Sequence, residues 1–345
     1  MKIHKWQKFA LIVTVCAAGS CGVLARAPKP ADPNNITGTH GLILVDKLGS
    51  RVRFFTPDTY KELSNIDVGS KPHEIAISPD RKTAYVTVYG DGVYGNNPHP
   101  GHTIAIIDIA SRQMTGAIDV SPYIAPHGIM IDSHGTLYVT CDLSRKLLVI
   151  DPLKRTIEAA IDTEGTGHFL AVLPDASKAY VANKNDKMFI SVIDLKTRKM
   201  IGTIPVPNGT QGIAASPDGK HVLAIDFGAP QMFVIDTATD KVVDTVSLKG
   251  ATADFRVKYS PDGSEIITTA SNSPTANLLK AADLHGEQVV LTVGKTPMGM
   301  AFAADGHTVL VANHGEGTIS VVDFKEGRVT GKFDAGTGIE NAAYY

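Results

Sequence analysis

Three histidines, His73, His127 and His168, stand one residue past the same anchor in three successive copies of a repeated segment. Glu340 and Gln211 hold that position in the copies on either side. Followed round the repeats, the column reads Glu340, His73, His127, His168, Gln211, and then Phe255 and Met298. Imidazole suits Zn, Cu, Fe or Ni. A catalytic zinc takes three protein ligands at about 2.0–2.2 Å and keeps a fourth position open for water. His73, His127, His168 and Glu340 are therefore candidate ligands for a divalent metal, the candidate cofactor, with Gln211 placed to orient the water. The competing expectation is structural: a histidine at a repeat position bonds the backbone of the neighbouring unit. Distance separates the two, since two bonds near 2.1 Å span only about 4.2 Å.

A second set of candidates lies a few residues past a strand motif in the same repeats. Asn183, Asp226 and Asn313 occupy its fourth position, as does Asp46, and Asp142 and His314 stand next along. One repeat also carries an insertion read as a long loop, Tyr89–His102, YGDGVYGNNPHPGH, with His99 and His102 inside it. An insertion confined to one repeat commonly maps to the binding face. His73, His127, His168, Gln211, Glu340, Tyr89, His99, His102, Asp142, Asn183, Asp226, Asn313 and His314 together form the expected ligand-binding surface. Local catalytic signatures are missing: there is no G-x-S-x-G, Walker A or H-E-x-x-H, and no glycine fingerprint opening a helix.

The elements that must position these residues follow from the repeat itself. PHEIAISPDRKTAYVTVY begins at Pro72, and related segments begin at 126, 167, 210, 254 and 297, with a truncated copy at 339. The spacings are 54, 41, 43, 44, 43 and 42 residues. A period near 40 built from short strands marks a β-propeller, one blade per repeat. Within a blade, strand A follows the anchor and ends at an S-P-D-G-type turn, because Ser-Pro and Asp-Gly both favour turns. Strand B is the Y-V-T/A segment, where aromatic and β-branched residues suit a pleated surface. Strand C is an apolar run ending in Asp, and strand D follows a short turn. Gly41–Gly69 supplies only the last three strands of a blade, and Ile339–Tyr345 supplies the missing first. Joining the termini in one blade removes exposed strand edges. The expected fold is all-β, a seven-bladed β-propeller of four-stranded blades closed by the C-terminal strand. In that arrangement the D–A and B–C connections share one face, so both candidate sets meet at one mouth of the central channel.

The segments YVTV, YVTC, YVAN and LVAN, with P-H-G-I, S-P-D-G and V-I-D at matching offsets, resemble the YVTN family of β-propellers. With its leader, the chain is similar to the YncE-like bacterial exported proteins. The resemblance covers roughly residues 41–345. It implies the fold and supplies little chemistry, since fold alone does not imply function. It is compatible with a ligand- or protein-binding module acting through the channel mouth. Analogy with other propellers adds a metal-dependent enzyme of lactonase or lyase type. Similarity to haem-d1-binding domains adds a redox accessory protein.

Composition bounds the partners and the compartment. Lys plus Arg is 33 against 35 Asp plus Glu, and a net charge of −2 leaves no footprint for nucleic acid. Residues 1–20 read as a signal peptide: Lys2, Lys5 and Lys8 precede an apolar run too short to span a bilayer. Ala18-Gly19-Ser20-Cys21 resembles a lipobox, which makes Cys21 the lipidated first residue of the mature chain and a lipid anchor its one membrane contact. Simple secretion with cleavage after Ala25-Arg26-Ala27 is the alternative. Residues 21–38 read as a Pro-rich tether and residues 39–345 as the propeller, an exported monomer in the periplasm or anchored at the outer membrane. Cys141 alone lies within the repeats, so no disulfide framework is expected.

Overall fold

The computed structural model of the protein describes residues 41–184, 187–250 and 255–345. The leader, the tether and Cys21 lie outside the described residues. The described chain is a seven-bladed β-propeller. Its seven sheets each contain four antiparallel strands, six of them in plain sequence order.

The first blade is the composite one, ordered β28–β1–β2–β3, with β1 at Leu42–Asp46, β2 at Arg51–Phe55, β3 at Glu62–Asp67 and β28 at Ile339–Tyr344. The other blades open with inner strands β4 (Pro72–Ile77), β8 (Pro126–Ile131), β12 (Gly167–Val172), β16 (Thr210–Ala215), β20 (Phe255–Tyr259) and β24 (Pro297–Phe302). Each inner strand touches the next round the axis, and β24 touches β28, closing the ring. Closure is a full antiparallel ladder from Leu42↔Tyr344 to Asp46↔Ile339. Asp46 clamps it: its carboxylate accepts from the backbone N–H groups of Gly49, Thr337 and Gly338 and from Arg53 Nε at 2.8 Å.

The core lies between blades. One cluster joins Ile43, Val52 and Phe54 of the composite blade to Val86, Ala105 and Ile107 of the next, and a corresponding cluster fills each other interface. Both faces of a middle strand are therefore buried, which is why strand C reads as an apolar run rather than an alternation. Ile104, Ala105, Ile106 and Ile107 are all buried. The S-P-D-G turns form as expected. Ser216 Oγ donates to Asp218 Oδ1 at 2.7 Å, and Gly219 takes φ +72°, where a side chain would be strained.

One expectation is corrected. The Tyr89–His102 insertion is not a loop. β5 (Thr83–Val93) and β6 (Asn96–Asp108) simply continue through it as a hairpin. Its six glycines and prolines do not break the pairing, because the register shifts at Gly90 and near Gly92 absorb them.

Candidate functional site

The inner strands carry an irregularity that the repeat column does not announce. In β4 the pairing runs Pro72↔Val88 and then Ile75↔Val86, so His73 and Glu74 together face the single residue Thr87. The same two-against-one bulge occurs at His127 and Gly128, His168 and Phe169, Gln211 and Gly212, and Met298 and Gly299. In β28, Glu340 is the extra residue. A bulge bends the strand and re-aims its side chains. The threonine of the Y-V-T motif holds it: Thr87 Oγ1 accepts from Glu74 N and donates to the carbonyl of His127 at 2.8 Å. Thr140 does the same between Gly128 and His168, donating at 2.7 Å. His127 and His168 are thus each tied to the preceding blade through the backbone carbonyl.

The imidazoles form a packed arc. Ring centroids lie 3.9 Å apart for His73 and His127 and 4.2 Å apart for His127 and His168. All three are buried. Burial holds each well below the ordinary histidine range, and neighbouring cations and rings reinforce it, so all three are neutral at pH 7. Among the described residues their side chains bond no neighbouring backbone, contrary to the structural expectation. Both ring nitrogens of His127, Nδ1 of His168 and Oε1 of Gln211 are buried without a hydrogen-bond partner among the described residues. The hairpin covers them: the Tyr94 ring lies 4.4 Å from that of His168, and Tyr94 OH donates to the Thr166 carbonyl. At the hairpin base, Tyr89 OH donates to Asp142 Oδ2 at 2.7 Å. Burial raises the Asp142 carboxyl to about 6.

The other half of the mouth is a closed ionic network. Arg256, on β20, reaches across the axis to Glu74 Oε1 at 2.9 Å and Glu340 Oε1 at 2.5 Å. Its guanidinium also lies 4.4 Å from the Phe169 ring. Lys47 Nζ donates to His73 Nε2 at 2.8 Å and pairs with Glu340 Oε2 at 3.3 Å. With Nε2 accepting, His73 carries its proton on Nδ1, which donates to Glu74 Oε1 at 3.2 Å. Asn341 Nδ2 donates to the other Glu74 oxygen. Burial alone would raise the Glu340 carboxyl, but Lys47, His73, Arg256 and His314 together hold it well below its ordinary range. Burial raises Glu74 against the opposing pull of Arg256.

Arg256 is therefore a strut joining three blades, and its removal should be costly. Breaking a buried pair from one side costs about 3–5 kcal/mol, because the remaining charges lose their partner. Arg256→Ala is expected to lower the melting temperature by roughly 5–8 °C for a chain of this length. Arg256→Met in a Glu74→Gln, Glu340→Gln background should recover most of that loss. A single variant melting with the wild type would remove the strut from the account.

The remaining candidates divide by burial and bonding. Asn183, Asp226 and Asn313 are fully buried and tie connections together. Asp226 accepts from Gly228 N, Ala229 N, Asn208 and Gln231, Asn313 Oδ1 accepts from Gly294 N, and Asn183 Nδ2 donates to Phe189 O and Ser191 Oγ. Asp226 and Asn313 are structural brackets with little left for a ligand, whereas Asn183 Oδ1 is buried without a partner among the described residues. His99 and His102 are exposed on the hairpin stem, away from the arc, and His102 Nδ1 lies 3.1 Å from Asp119. His314 Nδ1 lies 3.4 Å from Glu340 Oε2 and belongs to the ionic network.

The metal set also changes membership. Among the described residues, the group with metal-compatible spacing is His73, Glu74 and Glu340, without His127 or His168. Both ring nitrogens of His73 are engaged, and the two carboxylates already face Arg256 and Lys47. A divalent cation there would meet two fixed positive charges, so these donors do not fit one as they stand. Sequence reasoning missed Glu74, Phe169, Arg256 and Asn341, which stand one position past the aligned column, and also Lys47 and Tyr94. The signal was the variety in that next column: Glu74, Gly128, Phe169, Gly212, Arg256, Gly299 and Asn341.

Ring closure, four-stranded blades and a covered polar mouth define the molecule as a seven-bladed β-propeller with an occluded channel entrance. Residues 149–262, about a third of the chain, match the family model of the YNCE-like beta-propeller. Over that stretch the chain is similar to the YNCE-like family, and the structure as a whole is a seven-bladed β-propeller. No curated protein matches it in sequence. Among solved structures, Kuenenia stuttgartiensis hydrazine synthase is similar, with a TM-score of 0.68 at 20% identity over 79% of this chain and 89% of that one. At that identity the likeness is one of fold.

Proposed function

We propose that this protein is an exported cell-envelope binding module that takes a small polar molecule at the hairpin-covered mouth. Export rests on the leader-like residues 1–20 and the lipobox-like Cys21 segment. The binding reading rests on one observation: His127, His168 and Gln211, on three adjacent inner strands, keep buried polar atoms without partners. Buried polar groups are otherwise bonded, and leaving one unmade costs about 1–3 kcal/mol. A neutral imidazole offers one donor and one acceptor, while Tyr94 and Phe169 flank the arc with aromatic faces. The site therefore selects a compact ligand carrying both donor and acceptor groups and a flat face. The metal-dependent lactonase or lyase reading has less support, because Arg256 and Lys47 balance the carboxylates it needs.

A thermal-shift screen of small polar metabolites on the mature chain tests this. Compounds that raise the melting point of the wild type are expected to lose their effect in His127→Phe and Gln211→Leu. They should keep it in His285→Ala, whose ring is exposed beside Asp244. Hits that respond equally in all four proteins, or that footprint on the S-P-D-G turns, would sink the assignment.

A further inference from the structure

Beneath the Arg256 strut the channel opens into a cavity of about 120 Å³, lined among others by Glu74, Phe169, Arg256, Lys258 and Asn341. Gly212 and Gly299 line it as well. At Gly299 an added Cβ would sit 2.4 Å from Asn341 Oδ1, so the strand packs closely on Asn341 there. The volume equals about four waters at ~30 Å³ each. That suits an ion of four or five heavy atoms.

The charges round the axis do not balance. Glu340 faces Lys47, and Glu74 faces Arg256, which also reaches Glu340. Those two carboxylates and two cations cancel. Lys258, two residues past Arg256 on β20, is a third cation. Its ammonium donates to the Met300 carbonyl at 3.1 Å, and among the described residues it forms no ion pair. An ammonium has three donors, so two remain for the cavity that Lys258 lines. Lys258 is half-buried, so water satisfies its charge only in part and an anion in the cavity would complete it.

We propose that the axial cavity is a site for a small planar oxyanion, held as the counter-ion of Lys258 and bordered by Arg256 and Asn341. The ion is either the carboxylate of a small organic acid or a free inorganic anion. Both present two or three coplanar oxygens to an ammonium. A spherical halide meets the same charge with no oxygens to divide between the ammonium and the Asn341 amide. Burial depresses the Lys258 ammonium, and Glu74 is the charge opposing that depression. An anion in the cavity acts in the same direction as Glu74, so occupancy keeps Lys258 charged. The site is separate from the His127–His168–Gln211 arc and does not depend on the reading given to that arc.

Isothermal titration and thermal unfolding of the mature chain with acetate, formate or nitrate test the proposal, at constant ionic strength set with chloride. One equivalent of a planar oxyanion should bind saturably and raise the melting temperature where chloride does not. Lys258→Met keeps the length and apolar stem and should abolish the response, while Lys258→Arg should retain it. Acetate and formate acting alone assign a carboxylate, and nitrate acting alone assigns an inorganic oxyanion. No saturable binding to the wild type, or an equal response in Lys258→Met, overturns the site. Heats measured directly on the wild type keep the outcome readable if the Met variant folds poorly.

Discussion

Removing Ile339–Tyr345 is expected to abolish the cooperative folded state. The segment forms the inner strand of the composite blade and pairs with β1 along its whole length. Ile339, Ala342, Tyr344 and Tyr345 are buried in the interfaces on its two sides. Tyr345 packs so closely on Gly41 that an added Cβ would lie 2.2 Å from its ring, and the two residues exchange backbone hydrogen bonds at 3.1 Å. Losing a buried aromatic or aliphatic side chain costs about 2–5 kcal/mol. Several at once match the roughly 5–15 kcal/mol that stabilises an ordinary domain. The truncation also removes Glu340, leaving Lys47 and Arg256 with a buried partner missing, and bares β1 as an edge for aggregation. Circular dichroism and sedimentation of the truncated chain give the answer. A soluble monomer with one sharp transition near the wild-type temperature would mean that closure is not needed.

Acidification from pH 7 to pH 5 is expected to remove roughly 4 kcal/mol of stability. His73, His127 and His168 are held neutral by burial in the folded chain. In the unfolded chain they titrate near 6.5. The unfolded state therefore binds more protons below that value, and stability falls as pH falls through it. Each histidine contributes roughly 2 kcal/mol over this interval. Asp142 works in the opposite sense. Its folded carboxyl titrates at about 6, so it takes a proton in the folded state first and returns roughly 1 kcal/mol. Glu74, also raised, has the same sign. Glu340 acts later: its depressed pKa gives stability that is present above the ordinary glutamate range and lost as pH falls below it. Urea unfolding at pH 7 and pH 5 measures the difference. His168→Phe should remove roughly 2 kcal/mol of the pH dependence. A flat profile in the wild type would show that the arc is not buried neutral in solution.

Periodicity in the sequence determined the blade count, the four strands per blade, the S-P-D-G turns and the closure by Ile339–Tyr344, because each repeat builds the same backbone and a seventh inner strand was missing from the N-terminal one. For the same reason the sequence placed Glu340, His73, His127, His168 and Gln211 on neighbouring strands at one height. What those side chains do was decided only by the tertiary structure. The bulge that turns two successive residues toward the channel arises from pairing with strand B, and no local pattern marks it. The Tyr89–His102 insertion reads as a glycine- and proline-rich loop, yet its strands keep pairing and its tyrosines cap the arc. Arg256 lies 182 residues from Glu74 and 84 from Glu340 in the chain. Their meeting depends on the width of the ring and the reach of one side chain across it. A repeat column carries height and order round the axis, but it carries no information about what spans that axis.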